Sequence, residues 1–235
     1  MLELQTLSRH FGALRVIDNL SLRVEAGEIL GVLGPNGAGK TTLFNVISGV
    51  LPPSAGKVVF EGRDVSKLRA WDRCRLGIGR TYQIPKPFGH MSVFENVMVA
   101  AVHGGRMAMS EARAETQKVL DFTGLTHRRD LPARQLPLLD LKRLELAKAL
   151  AQRPRLLLLD EIAGGLTDAE CDALLDTVRA THAHGTTVIW IEHVIHALRR
   201  VATRMAVLHE GSILASGTPD DVLANQRVKE VYLGL

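Results

Sequence analysis

This sequence predicts an α/β fold, a mixed-sheet core interrupted by a helical insert, from three observations. A glycine-rich loop, GPNGAGKTT, stands between an apolar run and a helix-forming segment. Strand-like and helix-like segments alternate again after Arg155, the pattern of a largely parallel sheet with helices on its faces. The middle of the chain, from roughly Gln83 to Ala151, carries helical segments and no long β-branched run.

Taken in order, Leu2 to Leu7, Leu14 to Val24 and Glu28 to Leu33 read as strands, and the helix after the glycine-rich loop runs from about Lys40 to Val50. LPPSAG breaks the chain before a strand at Lys57 to Phe60. Helices are expected near Lys67 to Leu76, Val93 to Ala101 and Glu111 to Phe122, and the capping-box spacing of Ser92 and Glu95 starts one at Val93. In LPLLDLKRLELAKAL, Leu141, Leu144 and Leu146 form an apolar stripe, while Lys142, Arg143, Glu145 and Lys148 lie elsewhere on the wheel. Asp140 sits where an N-cap belongs. Leu156 to Leu159 reads as a strand, Thr167 and Glu170 as a second capping box, Thr186 to Ile191 as a strand and Val194 to Val201 as a helix. Met205 to His209 and Ser212 to Ser216 form a hairpin around Glu210-Gly211, and Thr218-Pro219 opens a last helix. The resulting division is one nucleotide-binding unit, residues 1–82 and 152–235 forming its α/β core and 83–151 a helical subdomain.

Composition narrows the class. The 235 residues suffice for one large domain with a real core. With 46% hydrophobic and 23% charged residues, the chain reads as an ordinary soluble globular protein. A net charge of +4 without a Lys/Arg block does not argue for nucleic acid as a partner. Cys74 and Cys171 form no CxxC and read as reduced thiols. No apolar stretch reaches the ~18 residues of a membrane span. The N-terminus alternates like a strand and lacks a signal peptide's apolar region, so the chain is expected to stay in the cytoplasm.

Gly34 to Thr42 fits G-x-x-x-x-G-K-[ST] in the strand-to-helix context that motif requires. The backbone of Gly34, Pro35, Asn36, Gly37, Ala38 and Gly39 would curl so that its N–H groups face phosphate. Lys40 would reach the β/γ oxygens, the Thr41 hydroxyl would ligate Mg²⁺, and Thr42 completes the loop. The plain alternative is a tight glycine turn capping a helix. LLLLDE ends a buried strand in two acids: Asp160 suits a Mg²⁺ contact through water, and Glu161 suits a general base polarising the attacking water. Alone, such acids are as readily solvated loop residues. His193, after the strand ending in IEHV, would reach the γ-phosphate, although a structural histidine with Glu192 as its partner is the plainer reading. Gln83 would ligate Mg²⁺ and the water. Each is weak alone; their order along the chain carries the argument.

That order resembles the ATP-binding cassette family over the whole chain: phosphate loop, Gln83 before a helical insert, signature helix, LLLLDE, GGLT at Gly164 to Thr167, and a final His193. The resemblance implies a P-loop NTPase cassette with a mixed-sheet core, an N-terminal antiparallel β subdomain and a helical insert. It implies Mg²⁺-dependent ATP hydrolysis, Phe11 stacked on adenine with Val16 nearby, and two cassettes closing head-to-tail. Each ATP would then lie between one phosphate loop and the other chain's signature loop. For Phe11 an ordinary core position is the alternative.

A narrower resemblance lies in GRTYQIPKPFGHMSVFENVMVAA, IEHVIHAL, LASGTPDDV and the terminal VYLGL, which look like ATPase subunits of branched-chain amino acid importers. It implies a chain peripheral on the cytoplasmic face of the plasma membrane. The expected partners are integral-membrane permease subunits, a second ATPase cassette as homodimer or heterodimer, and, indirectly, a solute-binding protein. The solute would be branched-chain amino acids or a related small polar or organic molecule. Pro85, Pro87, Phe88 and Met91 would form the permease contact, packing between subdomains being the alternative.

The sequence departs from the cassette pattern at LPLLD, where Ser-Gly-Gly is usual: Pro137 replaces the serine and Leu139 a glycine. Pro137 has neither hydroxyl nor N–H, which leaves the helix N-terminus, with free N–H groups around Asp140 to Arg143. Ile162 replaces the usual proline after the acids, and Thr167 a common Asp or Asn. Two further readings follow: a low-activity regulatory cassette paired with a catalytic one, and a soluble cassette acting in translation or DNA repair. The latter normally joins two cassettes or carries long coiled coils, and neither is present.

Overall fold

Two sheets share the first core. The computed structural model describes residues 1–233, so the last two residues of the VYLGL phrase lie outside the described residues. In chain order come β1 (Leu2–Phe11), β2 (Leu14–Val24), β3 (Ile29–Leu33), α1 (Lys40–Ile47), β4 (Ala55–Phe60), β5 (Arg63–Asp64), α2 (Ala70–Arg75) and β6 (Ile78–Arg80). The helices α3 (Val93–His103), α4 (Met109–Phe122) and α5 (Leu138–Leu150) follow. The chain closes with β7 (Leu156–Asp160), α6 (Asp168–Ala183), β8 (Thr187–Ile191), α7 (Ile195–Val201), β9 (Arg204–His209), β10 (Ser212–Gly217), α8 (Pro219–Ala224) and α9 (Gln226–Leu233).

The larger sheet runs β10-β9-β3-β8-β7-β6, parallel except for the edge strand β10. Its central strands ILGVL, LLLLD and TVIWI are buried at every residue, as expected where both faces are covered. The smaller sheet is antiparallel, β2-β1-β4-β5. Leu43, Phe44, Val46 and Ile47 of α1 join Leu2, Leu7 and Val58 of the small sheet and Val32 and Leu158 of the large one in one cluster. The opposite face of the large sheet packs on α6 and α7 through Leu174, Val178 and Leu198. A separate cluster, including Val97, Leu120 and Leu144, holds α3, α4 and α5 together.

Both capping boxes form, at Ser92/Glu95 and Thr167/Glu170. Several expectations are corrected. The helix after the glycine-rich loop stops at Ile47 rather than Val50, because Gly49, just past the Ser48 cap, takes a left-handed φ of +80°; the guanidinium of buried Arg73 donates to the Val46 and Ile47 carbonyls at 2.6 and 2.8 Å. It also binds the Ser66 and Leu68 carbonyls, and burial pushes its pKa down to about 10. Asp140 is not an N-cap: α5 begins at Leu138, with Pro137 in the extended conformation of the cap position. The Asp140 carboxylate lies in the first turn, buried against Arg128 at 3.2 Å and Arg143 at 3.3 Å. Leu141 N–H already donates to the Pro137 carbonyl, so the donors without an intrahelical acceptor lie earlier, from Leu138 to Asp140. The helix opened by Thr218-Pro219 is followed by a further one, α9.

Candidate nucleotide site

The loop between β3 and α1 lies at the C-terminal end of β3, where open α/β sheets bind ligands. Its geometry depends on glycine. Gly39 has φ +102°, and a Cβ there would stand 2.7 Å from the Val16 carbonyl oxygen. At Gly34 a Cβ would meet the Leu208 carbonyl oxygen at 2.4 Å. The hairpin turn at Gly211 ties the loop down: its N–H donates to the Ala38 carbonyl at 3.3 Å, and its carbonyl accepts from the Asp18 N–H at 3.0 Å.

A cavity of about 460 Å³ opens beside the loop, lined by Asn36 to Thr42 together with Leu14, Val16, Gln83 and Glu161. The Lys40 ammonium is buried and donates to the carbonyls of Gly34 at 2.6 Å and Pro35 at 3.1 Å. Burial lowers its pKa, and the nearby Glu161 and Asp160 offset part of that. Glu161 accepts from the Gln83 amide at 2.5 Å, and His193 Nδ1 lies 3.7 Å from the same carboxylate oxygen. Lys40, Gln83 and Glu161, dispersed in sequence, therefore line one cavity, and His193 stands beside Glu161.

Glu161 has φ +46°, left-handed backbone that costs a non-glycine residue of order 1–3 kcal/mol. Its N–H donates to the Ile191 carbonyl at 2.9 Å, and its carbonyl accepts from Lys142 of α5 at 3.2 Å. Asp160 pairs with Arg80 at 3.0 Å. Phe11 does not line the cavity. It sits at the tip of the β1–β2 hairpin, 44% exposed, with the Arg9 guanidinium 4.7 Å from its ring centre. Its exposure excludes the core alternative.

Three charged residues escaped the sequence reading, and a fourth, Glu192, was expected only as a partner of His193. Arg80 holds Asp160, and Lys142 holds the Glu161 backbone. Glu145 accepts from the Lys86 N–H at 2.8 Å, close after Gln83. Glu192 is fully buried and accepts from the Ala163 N–H at 2.7 Å and from the His193 N–H at 3.2 Å; burial pushes its pKa up. The available signal was position: each stands within three residues of a predicted site residue or on the signature helix.

Residues 17–164 match the family described as ABC transporter. The chain belongs to the ABC transporter family. Residues 212–234 match a further family, described as branched-chain amino acid ATP-binding cassette transporter. The probable branched-chain amino acid transport ATP-binding protein LivG of Archaeoglobus fulgidus is 34% identical, over 100% of this chain and 95% of that protein. The lipopolysaccharide export system ATP-binding protein LptB of Escherichia coli K12 is 31% identical, over 98% of this chain and 95% of the relative. Among solved structures, the ADP conformation of MJ1267, an ATP-binding cassette of an ABC transporter, superposes with a TM-score of 0.90 at 28% identity, covering 100% of this chain and 99% of the other. The α/β fold with its mixed and antiparallel sheets is thus that of the ABC cassette, and the chain is an ATP-binding, ATP-hydrolysing subunit of an ABC transporter.

Proposed function

We propose that this cassette powers uptake of branched-chain amino acids or a related small polar or organic solute. It would work on the cytoplasmic face of the membrane with permease subunits, a second cassette and, indirectly, a solute-binding protein. The observation that carries this reading is the match of residues 212–234, a stretch separate from the ATPase motifs, to the branched-chain amino acid cassette family. The full-length likeness to LivG supports it. An export role is the second reading, favoured by the similar likeness to LptB. Among the described residues no helix is long and apolar enough to cross a membrane.

Within the site, the N–H groups of the loop from Gly34 to Gly39 cradle the β-phosphate and Lys40 meets the β/γ oxygens. The donor set fits Mg²⁺. The Thr41 hydroxyl, the Gln83 amide oxygen and the Asp160 carboxylate, the last through water, are all hard oxygen donors. When bound, Mg²⁺ neutralises charge developing on the phosphates. Glu161 takes a proton from the water that attacks the γ-phosphorus, the bond to the β–γ bridging oxygen breaks, and ADP and phosphate leave. His193 and Gln83 fix Glu161 and the γ-phosphate relative to one another. Adenine packs against the β1–β2 hairpin, on Val16 and on Phe11 once Arg9 moves aside.

The test is uptake. In the native host, replacing this chain with an E161Q copy should abolish accumulation of labelled leucine, isoleucine and valine, and a tagged chain should copurify with a permease. Unchanged uptake of all three, with copurification of an outer-envelope export assembly instead, would sink the import reading.

A further inference from the structure

Arg80 is buried, with 7% of its side chain exposed, and its guanidinium is shared among three partners. Nη2 donates to Asp160 Oδ2 at 3.0 Å. Nη1 donates to Asn45 Oδ1 at 2.7 Å and to Ser48 Oγ at 3.1 Å, both on or just after the helix that begins at Lys40. Phe44 and Tyr82 flank the guanidinium, with ring centres 5.7 and 5.0 Å away. The next residue reinforces the grip, because Thr81 Oγ1 accepts from the Asp160 N–H at 3.2 Å. Then comes Gln83, bonded to Glu161. The tail of β6 thus holds both acids of the β7 end, and Arg80 anchors it to the phosphate-loop helix.

A structural ion pair would need only charge neutralisation. This one does more geometrically. A planar fork with several fixed acceptors leaves the guanidinium one position, and that position selects which Asp160 oxygen is engaged. We propose that Arg80 is a positioning residue for the metal half of the site: by holding Oδ2 it presents the other Asp160 oxygen to the water shell of Mg²⁺. The proposal rests on the reading of Asp160 given above. Without the guanidinium, a carboxylate that is 5% exposed loses the group that fixes its orientation and the charge paired with it. Residues that orient a metal's ligands typically change its affinity 10–100-fold when lost.

The experiment titrates Mn²⁺ into the full chain with a non-hydrolysable ATP analogue, following bound ion by electron paramagnetic resonance. D160N should weaken Mn²⁺. R80M should weaken it by about 10–100-fold, and R80K, which restores charge but not the fork, should recover only part. The N45A/S48A pair leaves the Arg80–Asp160 pair in place but frees the guanidinium, and should give an intermediate loss even if R80M fails to fold. Parent-like Mn²⁺ affinity in the N45A/S48A protein and in a folded R80M, with D160N impaired, overturns the role of Arg80 and leaves that of Asp160 standing. Parent-like affinity in D160N overturns the reading of Asp160 itself.

Discussion

Gln83 and Glu161 are joined directly: the amide donates to the carboxylate at 2.5 Å, although the residues come from opposite sides of the helical insert. The bond puts the acid under the control of the chain segment that enters that insert. Glu161→Gln should retain nucleotide binding, because the phosphate loop is untouched, and lose turnover by the ~10²–10⁴-fold typical of a lost base. Equilibrium binding of a fluorescent ATP analogue beside steady-state phosphate release separates the two. Parent-like turnover would remove Glu161 from its role.

The segment after Gln83 presents Ile84, 70% exposed, and Phe88, 54% exposed, and Met91, which follows, lines a largely apolar groove with Met98, Val102, Met109, Glu95 and His103. Exposed apolar side chains beside such a groove are poor material for a solvated surface. A cysteine at position 88 is expected to crosslink to a cytoplasmic loop of the permease in the assembled transporter. Crosslinks found only within the chain would count against docking there.

At the signature position Pro137 and Leu138 are solvent-facing and Asp140 is neutralised by two arginines, so the helix end offers backbone N–H groups and little else. Losing the serine hydroxyl and a close-approach glycine removes one or two hydrogen bonds to a charged group, each worth ~1.5–3 kcal/mol. The helix dipole returns up to ~1–2 kcal/mol. The clamp on a partner's ATP is therefore expected to be weakened and not abolished, and isolated homodimers should hydrolyse slowly. Pro137→Ser with Leu139→Gly should raise the basal rate; a fast parent homodimer unchanged by the double substitution shows that backbone contacts suffice.

Glu192 gives the stability a pH signature. Its folded pKa is raised, chiefly by burial, so the folded state disfavours the ionised form. The parent should lose stability relative to Glu192→Gln as pH climbs from about 4.3, the ordinary glutamate value, through the raised one. Below that window the difference between the two proteins is constant. Urea unfolding of both across the window is the measurement, and a flat difference contradicts the assignment.

The parts legible in the sequence are those with local causes. A glycine loop between strand and helix, two capping boxes and apolar runs declare themselves within a few residues. Strand β6 did not, since Ile78–Arg80 is three residues beside glycines and gains its identity only by pairing with β7. The start of α5 was misplaced because Asp140 has an N-cap's chemistry, yet Arg128 and Arg143 draw its carboxylate away. Lys142 and Glu145 looked like the wet side of that helix. Both are buried, because the segment after Gln83 and the Glu161 backbone supply their partners from elsewhere in the chain. A polar residue on a helical wheel cannot tell water from a buried partner.

The phosphate-loop strand β3 has β8 and β9 as its sheet neighbours, and the loop itself is braced by the Leu208 carbonyl and by Gly211. All four supports are encoded far downstream of the loop they hold. During synthesis the nucleotide motif leaves the ribosome early, and its neighbours follow only after the whole helical insert has been made. A nascent or prematurely terminated chain therefore displays the motif without the walls that shape it. The full set of walls around the nucleotide loop therefore exists only in chains translated past Gly211, which makes the finished site a late product of biogenesis.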